Sequence, residues 1–438
     1  MDKLLPLLIF ILAIVVMTVA FPAGPTAVLL ASFCAIIIIV LINKSFIGVE
    51  KDFLRALFFV SLIFRVILAT VTYIFELQEF FGGDSITYDE AGYALYSSWF
   101  GNLSEINTYY LNFASRDSGS GFGMAYIVAA IYTVVGRNPL AIQLFNSVLG
   151  AATACLIYVC AKEIFSNTRV AKLSGIFVGI FPSLIVWSSQ GLKDGIICFL
   201  LALAIRNVLF LQKEFSYINT ILLLISLAGI YTLRFYIFFA FAVATVGAFV
   251  LGLQKSVSSV VRQILILIVI TLGLTYVGVL RNAQTNLETY GDLQTLQNSR
   301  LEQSRIANSG FGQDIDVSTP TGALQVIPLG LAYLMLAPFP WQITNFRQLI
   351  TLPEVLIWWC LLPFMGIGIW YALKNKARQS VAIMLLTLLL TLSYAMFQGN
   401  VGTAYRMRAQ MQIFYFIFVA VGLVIWKEKR ENQRIRKM

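Results

Sequence analysis

Apolar runs long enough to cross a bilayer recur along the whole chain and limit the folds that it can adopt. A helix of about 20 apolar residues spans the hydrocarbon core of a membrane. Runs of this kind occupy residues 4–21, 25–42, 53–75, 262–280 and 406–426. Of the 438 residues, 59% are hydrophobic and only 12% are charged, far from the composition of soluble domains. The sequence therefore predicts an all-α polytopic membrane protein.

Basic segments between the apolar runs predict how the chain is oriented. Short loops rich in Lys and Arg stay on the cytoplasmic side of a membrane. Six such segments then lie inside, namely 43–55, 161–172, 212–215, 253–262, 374–378 and the tail 427–438. Much of the excess of 31 basic over 21 acidic residues lies in them, so the charge does not indicate nucleic acid as a partner. We expect about twelve transmembrane helices in a plasma membrane, with both termini in the cytoplasm.

Two apolar segments fit this count poorly. Residues 123–136 form a run of about 14 residues, which is short for a span, and residues 326–341 contain three prolines. We interpret both as interfacial or re-entrant pieces on the outer face. The domain organisation expected is a single integral-membrane domain, 1–438, with a first outer loop over 76–138 and a second over 281–353.

The first outer loop gathers three carboxylates in "FGGDSITYDEAGYALYSSWF", residues 81–100. Thr87 and Glu90 have the spacing of a capping box, which predicts a helix from Tyr88 to Trp99. Asp89 and Glu90 would then lie in the first turn, where the helix dipole stabilises anions. Starting the helix is therefore a sufficient explanation for these two acids.

Asp84 stands before that predicted helix, directly after two glycines that let the backbone bend sharply. One interpretation is an Asx turn that closes the bend. The other is a general base at the mouth of a membrane cavity, taking a proton from an incoming hydroxyl. The chain contains no histidine, so a carboxylate is the natural candidate for a base. The three acids could also bind a divalent metal through oxygen ligands.

Several stretches together resemble the GT-C superfamily of integral-membrane glycosyltransferases. Within it, the branch of the protein O-mannosyltransferases and the lipid A aminoarabinose transferases is the most similar. The resemblance rests on Asp84 with the following "YDEAGY", on "FPSLIVWSSQGLKDG" (181–195), on "LRFY" (233–236) and on "GTAYRMRAQMQIF" (402–414). It covers most of residues 53–426 as a layout. The extra spans before the acidic loop and the absence of a histidine beside the late arginines depart from the family pattern.

The resemblance implies inverting transfer of a sugar on the extracytoplasmic face. The donor would be a polyprenyl-phosphate sugar, and the acceptor a glycan, a glycolipid or a protein. Asp84, Asp89 and Glu90 are the candidate catalytic residues, with Asp84 favoured as the base. The candidate substrate-binding residues are Tyr88, Tyr93, Lys193, Asp194, Arg234, Arg406 and Arg408. Of these, Lys193, Arg234 and Arg406 are expected to face one cavity and hold the phosphate, although Lys193 and Asp194 could instead form a local ion pair.

Other functions remain open from the residues alone. A lipid-linked oligosaccharide polymerase or ligase would use arginines of the late outer loop, here Arg281, Arg300 and Arg305. A transporter or flippase of lipid-linked sugars would show matching broken helices in two halves, and no internal repeat is evident in the sequence. A membrane subunit without chemistry is the third alternative. Arg65 lies within an apolar run and needs a carboxylate or carbonyl partner there.

Overall fold

The structure is a computed structural model that describes Val15 and residues 22–102, 106–114, 121–251, 257–276, 278–281, 292–306 and 309–436. Regular structure in these residues is helical, apart from an isolated antiparallel bridge between Gly310 and Asn400. The helices are Gly24–Ser45, Gly48–Ile74, Gln78–Phe81, Asp84–Trp99, Thr108–Phe113, Phe122–Val135, Pro139–Phe165, Thr168–Ile180, Pro182–Ser188, Lys193–Lys213, Tyr217–Leu233, Phe235–Leu251, Val257–Tyr276, Leu293–Ile306, Pro320–Leu336, Phe346–Asn375, Ala377–Phe397 and Val401–Ile435.

Seven of the described helices are long and apolar enough to cross a membrane, and a bent helix pair raises the number to eight. The prediction of a multi-pass helical membrane protein is therefore confirmed. The count of twelve stays a prediction, because it also requires shorter apolar helices such as Tyr217–Leu233 and Phe235–Leu251 to cross. It further requires the run 4–21, nearly all of which lies outside the described residues.

The chain packs as two compact units. The first comprises Met1–Leu156, Gly175–Leu200 and Thr232–Arg234, and the second comprises Ile157–Ser174, Leu201–Tyr231 and Phe235–Met438. Asp84, Asp89 and Glu90 belong to the first unit, together with Lys193, Asp194 and Arg234. Arg406 and Arg408 belong to the second unit.

A proline bends one of the spans in the middle of its apolar run. The helices Thr168–Ile180 and Pro182–Ser188 meet at 56°. Pro182 has no N–H to donate and its ring disfavours a continuous helix, so the carbonyls just before it lose their usual partners. Backbone groups left open at this depth must be satisfied by other protein groups. The stretch 181–195 thus begins at a bend in the span.

Arg65, from the helix Gly48–Ile74, supplies those missing donors. Its Nη1 donates to the carbonyl oxygen of Gly179 at 2.8 Å and its Nη2 to that of Val178 at 3.2 Å. Its Nε donates to Ser188 Oγ at 2.7 Å, beyond the bend. Arg65 is 1% exposed. The expectation that this arginine has a structural partner is confirmed, and the partners are carbonyls and hydroxyls.

Side-chain donors from other helices also bind the carbonyls at the end of the helix Pro320–Leu336, in the second unit. This helix runs through Pro328 and ends before Pro338, so the expected break at 326–341 occurs only at its end. The last carbonyls of the helix then need outside donors. They receive them from Trp358 Nε1 to Met335 at 2.8 Å, from Trp359 Nε1 to Leu336 at 3.0 Å, and from Arg408 Nη1 to Met335 and Ala337 at 3.0 Å each.

The other short apolar segment, predicted over 123–136, is the helix Phe122–Val135. It has 14 residues, which is about 21 Å at 1.5 Å per residue and less than the hydrocarbon thickness of about 30 Å. That it and Pro320–Leu336 lie at the outer interface stays a prediction, because no membrane is defined in the structure.

Candidate functional site

The acidic helix, Asp84–Trp99, begins earlier than the capping-box pattern predicts. Its N-cap is Gly83, and no side chain caps it. Thr87 and Glu90 therefore lie inside the helix, and the expected reciprocal cap is wrong. The physical reason is that Gly83 carries no side chain in conflict with the turn and that Asp84 is itself favoured at the positive end of the helix dipole.

The earlier start of the helix changes the position of each acid within it. Asp84 is now the first-turn residue, and Asp89 and Glu90 lie more than one turn into the helix. At 3.6 residues per turn, Asp84 and Asp89 point about 140° apart around the axis. The acidic helix therefore presents two chemically different faces. Asp84 shares one with Tyr88, and Asp89 shares the other with Tyr93, because residues four apart lie on one face.

The first face meets Lys193. The ammonium nitrogen of Lys193 lies 5.6 Å from the ring centroid of Tyr88, within cation–π range. Tyr88 is buried, and Asp84 is exposed one turn before it. A Cβ built on Gly121 would lie 3.0 Å from Lys193 Nζ, so this glycine allows the lysine its close approach. Lys193 therefore contacts Tyr88, which lies one turn after Asp84 on the acidic helix.

The second face is bound by Arg137. Its Nη2 donates to Asp89 Oδ2 at 2.7 Å and to Glu90 Oε1 at 2.6 Å. The guanidinium carbon lies 4.4 Å from the ring centroid of Tyr93. The hydroxyl of Tyr132 donates to the other carboxylate oxygen of Asp89. Burial alone would lower the pKa of Arg137, but the hydrogen bonds and charges of Asp89 and Glu90 outweigh it and raise the pKa above its ordinary value.

Sequence reasoning did not identify Arg137. It follows the short helix Phe122–Val135 in "VVGRNP", where Gly136 adopts a φ of +74° and ends the helix. The available signal was an arginine in an outer-loop turn that follows the three acids in the sequence. The local sequence gave no indication that this turn returns to residues 89 and 90.

Close packing holds the acidic helix against Phe122–Val135. A Cβ built on Gly92 would lie 2.2 Å from Cγ1 of Val128, so only glycine fits at this crossing. Ala91, Leu95, Ala125 and Ala129 form a buried cluster beside it. Small residues on both helices bring the two backbones close together, as is typical of helix pairs in membranes.

Asp194 and Arg234 form a buried ion pair. Arg234 Nη2 donates to Asp194 Oδ1 at 2.8 Å, with side-chain exposures of 4% and 0%. Asp194 is thus bound by an arginine distant in sequence, and a local Lys193–Asp194 pair stays a prediction. The pair explains how two charges are tolerated in an apolar setting.

The two late arginines, both in the second unit, are buried. Arg408 is 1% exposed and donates to the helix-end carbonyls of Met335 and Ala337, which is a structural role. Arg406 is 9% exposed. That Arg406 faces the same cavity as Lys193 and Arg234 stays a prediction. Arg300, a candidate for the ligase alternative, is 3% exposed and donates to the Met396 carbonyl at 3.1 Å.

The geometry of the acids does not fit a divalent metal. A site for such a cation gathers several oxygen ligands around one point. Asp89 and Glu90 instead converge on the guanidinium of Arg137, and Asp84 lies on a different face. Among the described residues, no group of three Asp, Glu or Cys side chains is arranged to hold a metal ion.

No family model and no curated protein matches the chain. Among solved structures, it is similar to the archaeal oligosaccharyltransferase AglB from Archaeoglobus fulgidus in complex with an inhibitory peptide and a dolichol-phosphate. The TM-score is 0.42 and the identity 13%, over 73% of this chain and 43% of that chain. A similarity this remote, to less than half of a longer protein, assigns no activity.

Proposed function

We propose that the protein is a membrane glycosyltransferase that moves a sugar from a polyprenyl-phosphate donor to an acceptor hydroxyl or amine on the extracytoplasmic face. The observation that carries the proposal is the meeting of Lys193 with the face of the acidic helix that bears Asp84. The transfer needs a cation for the leaving phosphate and a carboxylate for the acceptor proton. Lys193 and Asp84 are residues of these two types, associated with one helix face through Tyr88.

The sequence resemblance to the GT-C superfamily supports the proposal independently. Its acidic motif in the first outer loop corresponds to Asp84 and the following "YDEAGY". The exposure of Asp84 suits a group that must reach an incoming acceptor. Asp89, by contrast, is only 14% exposed and lies against Arg137 and Tyr132. We favour Asp84 as the base because its side chain is the more accessible to an acceptor.

The proposed reaction is a single displacement. The Asp84 carboxylate takes the proton of the acceptor hydroxyl as that oxygen attacks the anomeric carbon. The bond from this carbon to the phosphate oxygen breaks, and polyprenyl phosphate leaves with the electron pair. Attack opposite the leaving group inverts the configuration of the carbon. Lys193 holds the phosphate through a charge-assisted hydrogen bond, which is strong in a partly dry site.

The experiment that tests the proposal uses the purified full chain in lipid nanodiscs. A panel of radiolabelled polyprenyl-phosphate sugars is supplied together with membrane extracts that contain lipid, glycan and protein acceptors. Transfer of label from one donor to one acceptor fraction, with inverted linkage by NMR, supports the proposed function. Absence of both donor binding and transfer across a panel of the common monosaccharides would contradict it.

A further inference from the structure

Arg137 contacts both acids of the second face through one atom. Its Nη2 lies 2.7 Å from Asp89 and 2.6 Å from Glu90, so a single nitrogen bridges two neighbouring negative charges. The side chains of the three residues are 37%, 14% and 33% exposed. An exposed pair contributes little to stability, but a bridged network on a partly buried helix fixes geometry more effectively.

The bridge joins two elements that carry different parts of the site. Asp89 and Glu90 belong to the acidic helix, and Arg137 follows directly after the end of Phe122–Val135. Tyr132, from the same short helix, adds its hydroxyl to Asp89. The beginning of that helix lies against Lys193, because Gly121 approaches its ammonium nitrogen. The short helix therefore contacts Lys193 at one end and is bound to the acidic helix at the other.

We propose that Arg137 is a positioning residue of the transferase, and this inference rests on the proposed function. It binds Asp89 and Glu90 on the second face of the acidic helix. It thereby fixes the rotation of the helix about its axis and its position along that axis, and so the placement of the first face. Tyr88 is then held against Lys193, and Asp84 is held one turn before it. Without the bridge, Asp89 and Glu90 would repel each other, and the helix would be free to shift on its Gly92 contact. A misplacement of about 1 Å can cost about 100-fold in rate.

The single-atom contact predicts which substitution preserves the role. An arginine that binds a carboxylate in a bidentate contact, through two nitrogens of its guanidinium group, cannot be replaced by lysine. Here both carboxylates meet the same nitrogen, and an ammonium group provides three donors from one point. Arg137→Lys should therefore keep the bridge, while Arg137→Gln removes the charge and leaves the two acids unbridged.

The test compares Arg137→Lys, Arg137→Gln and the double variant Glu90→Gln/Arg137→Gln in the transfer assay, with kcat and the donor KM measured separately. Arg169→Gln is the matched control, because Arg169 is exposed in the second unit and makes no side-chain hydrogen bond in the described structure. We expect Arg137→Gln to lower kcat by roughly 10- to 100-fold with the donor KM almost unchanged. Arg137→Lys should restore most of kcat, and amide exchange within Asp84–Trp99 should be faster only in the glutamine variants.

If Arg137→Gln folds poorly, the double variant Glu90→Gln/Arg137→Gln still tests the inference. It removes one of the two repelling charges, and it should fold and still show the low kcat. Wild-type kcat in either glutamine variant would overturn the inference while the proposed function stands. A lysine variant as slow as the glutamine variant would also overturn it. If the wild-type protein transfers no sugar, the proposed function fails, and the positioning role falls with it.

Discussion

Arg234 donates its Nη2 to the Oδ1 atom of Asp194 across 2.8 Å, and the two residues are 3% and 0% exposed. The arginine that sequence reasoning assigned to the donor phosphate thus already has a carboxylate partner inside the protein. Its positive charge is largely balanced there, and the half-buried Lys193 is the more accessible candidate for the phosphate contact. Breaking such a pair leaves one uncompensated buried charge.

We therefore expect Arg234→Gln to act on stability before it acts on donor binding. Removing one partner of a buried pair costs about 3–5 kcal/mol, and Asp194→Asn should cost a similar amount. The double variant should be more stable than either single variant, because no charge is left alone. Thermal unfolding of the four proteins in one detergent measures this. A single variant with the melting temperature of the wild type would contradict the account.

The Gly92 crossing predicts a size-dependent defect. Gly92→Ala places a Cβ at 2.2 Å from Val128 Cγ1, so the acidic helix must move away from Phe122–Val135. Overpacking of this kind costs about 1–3 kcal/mol. Val128→Gly should partly rescue the variant, since the added Cβ would also lie 2.4 Å from Val128 Cβ and both clashing atoms must be removed. Melting temperatures of the two single variants and the double variant test this, and additive losses without rescue would show that the close crossing is wrong.

Lys193 should matter for donor affinity more than any exposed lysine. A hydrogen bond to a charged group contributes about 1.5–3 kcal/mol, which corresponds to roughly 10- to 100-fold in Kd. Lys193→Gln should weaken binding of a polyprenyl phosphate by this factor. Lys374→Gln, at the exposed end of Phe346–Asn375, is the control and should bind normally. Equal affinities for both variants would exclude Lys193 from the phosphate contact.

The predicted orientation can be tested with cysteine probes in a cysteine-free background. Glu302, on the helix Leu293–Ile306, is expected outside, and Asn375, at the end of Phe346–Asn375, inside. A membrane-impermeant maleimide added to intact cells should label Glu302→Cys and not Asn375→Cys. The reverse pattern would place the first outer loop in the cytoplasm and contradict an extracytoplasmic reaction.

The sequence predicted the helices well where a single physical rule decides them. Apolar length predicted long membrane-type helices such as Gly24–Ser45 and Val401–Ile435, which the structure contains. The start of the acidic helix was missed by four residues, since Thr87 and Glu90 satisfy the capping-box pattern without forming a cap. Several local signals can mark a helix start, and tertiary packing chooses among them.

The partners of the candidate site could not be predicted for a related reason. Arg137 meets residues 89 and 90, and Arg234 meets Asp194, through contacts between helices that local patterns do not encode. Sequence reasoning recognised that Arg65 needs a partner within its apolar run. It could not say whether that partner is a carbonyl or a carboxylate.

The most direct test of the account is the transfer rate of Asp84→Asn beside that of Asp89→Asn, with donor binding measured in both. Loss of a general base typically costs about 10²–10⁴ in rate. The account predicts that Asp84→Asn folds, binds the polyprenyl-phosphate sugar normally and loses turnover by that factor. Asp89→Asn, which weakens only the contact with Arg137 and Tyr132, should lose much less. Normal transfer by Asp84→Asn together with an inactive Asp89→Asn would contradict the assignment of Asp84 as the base.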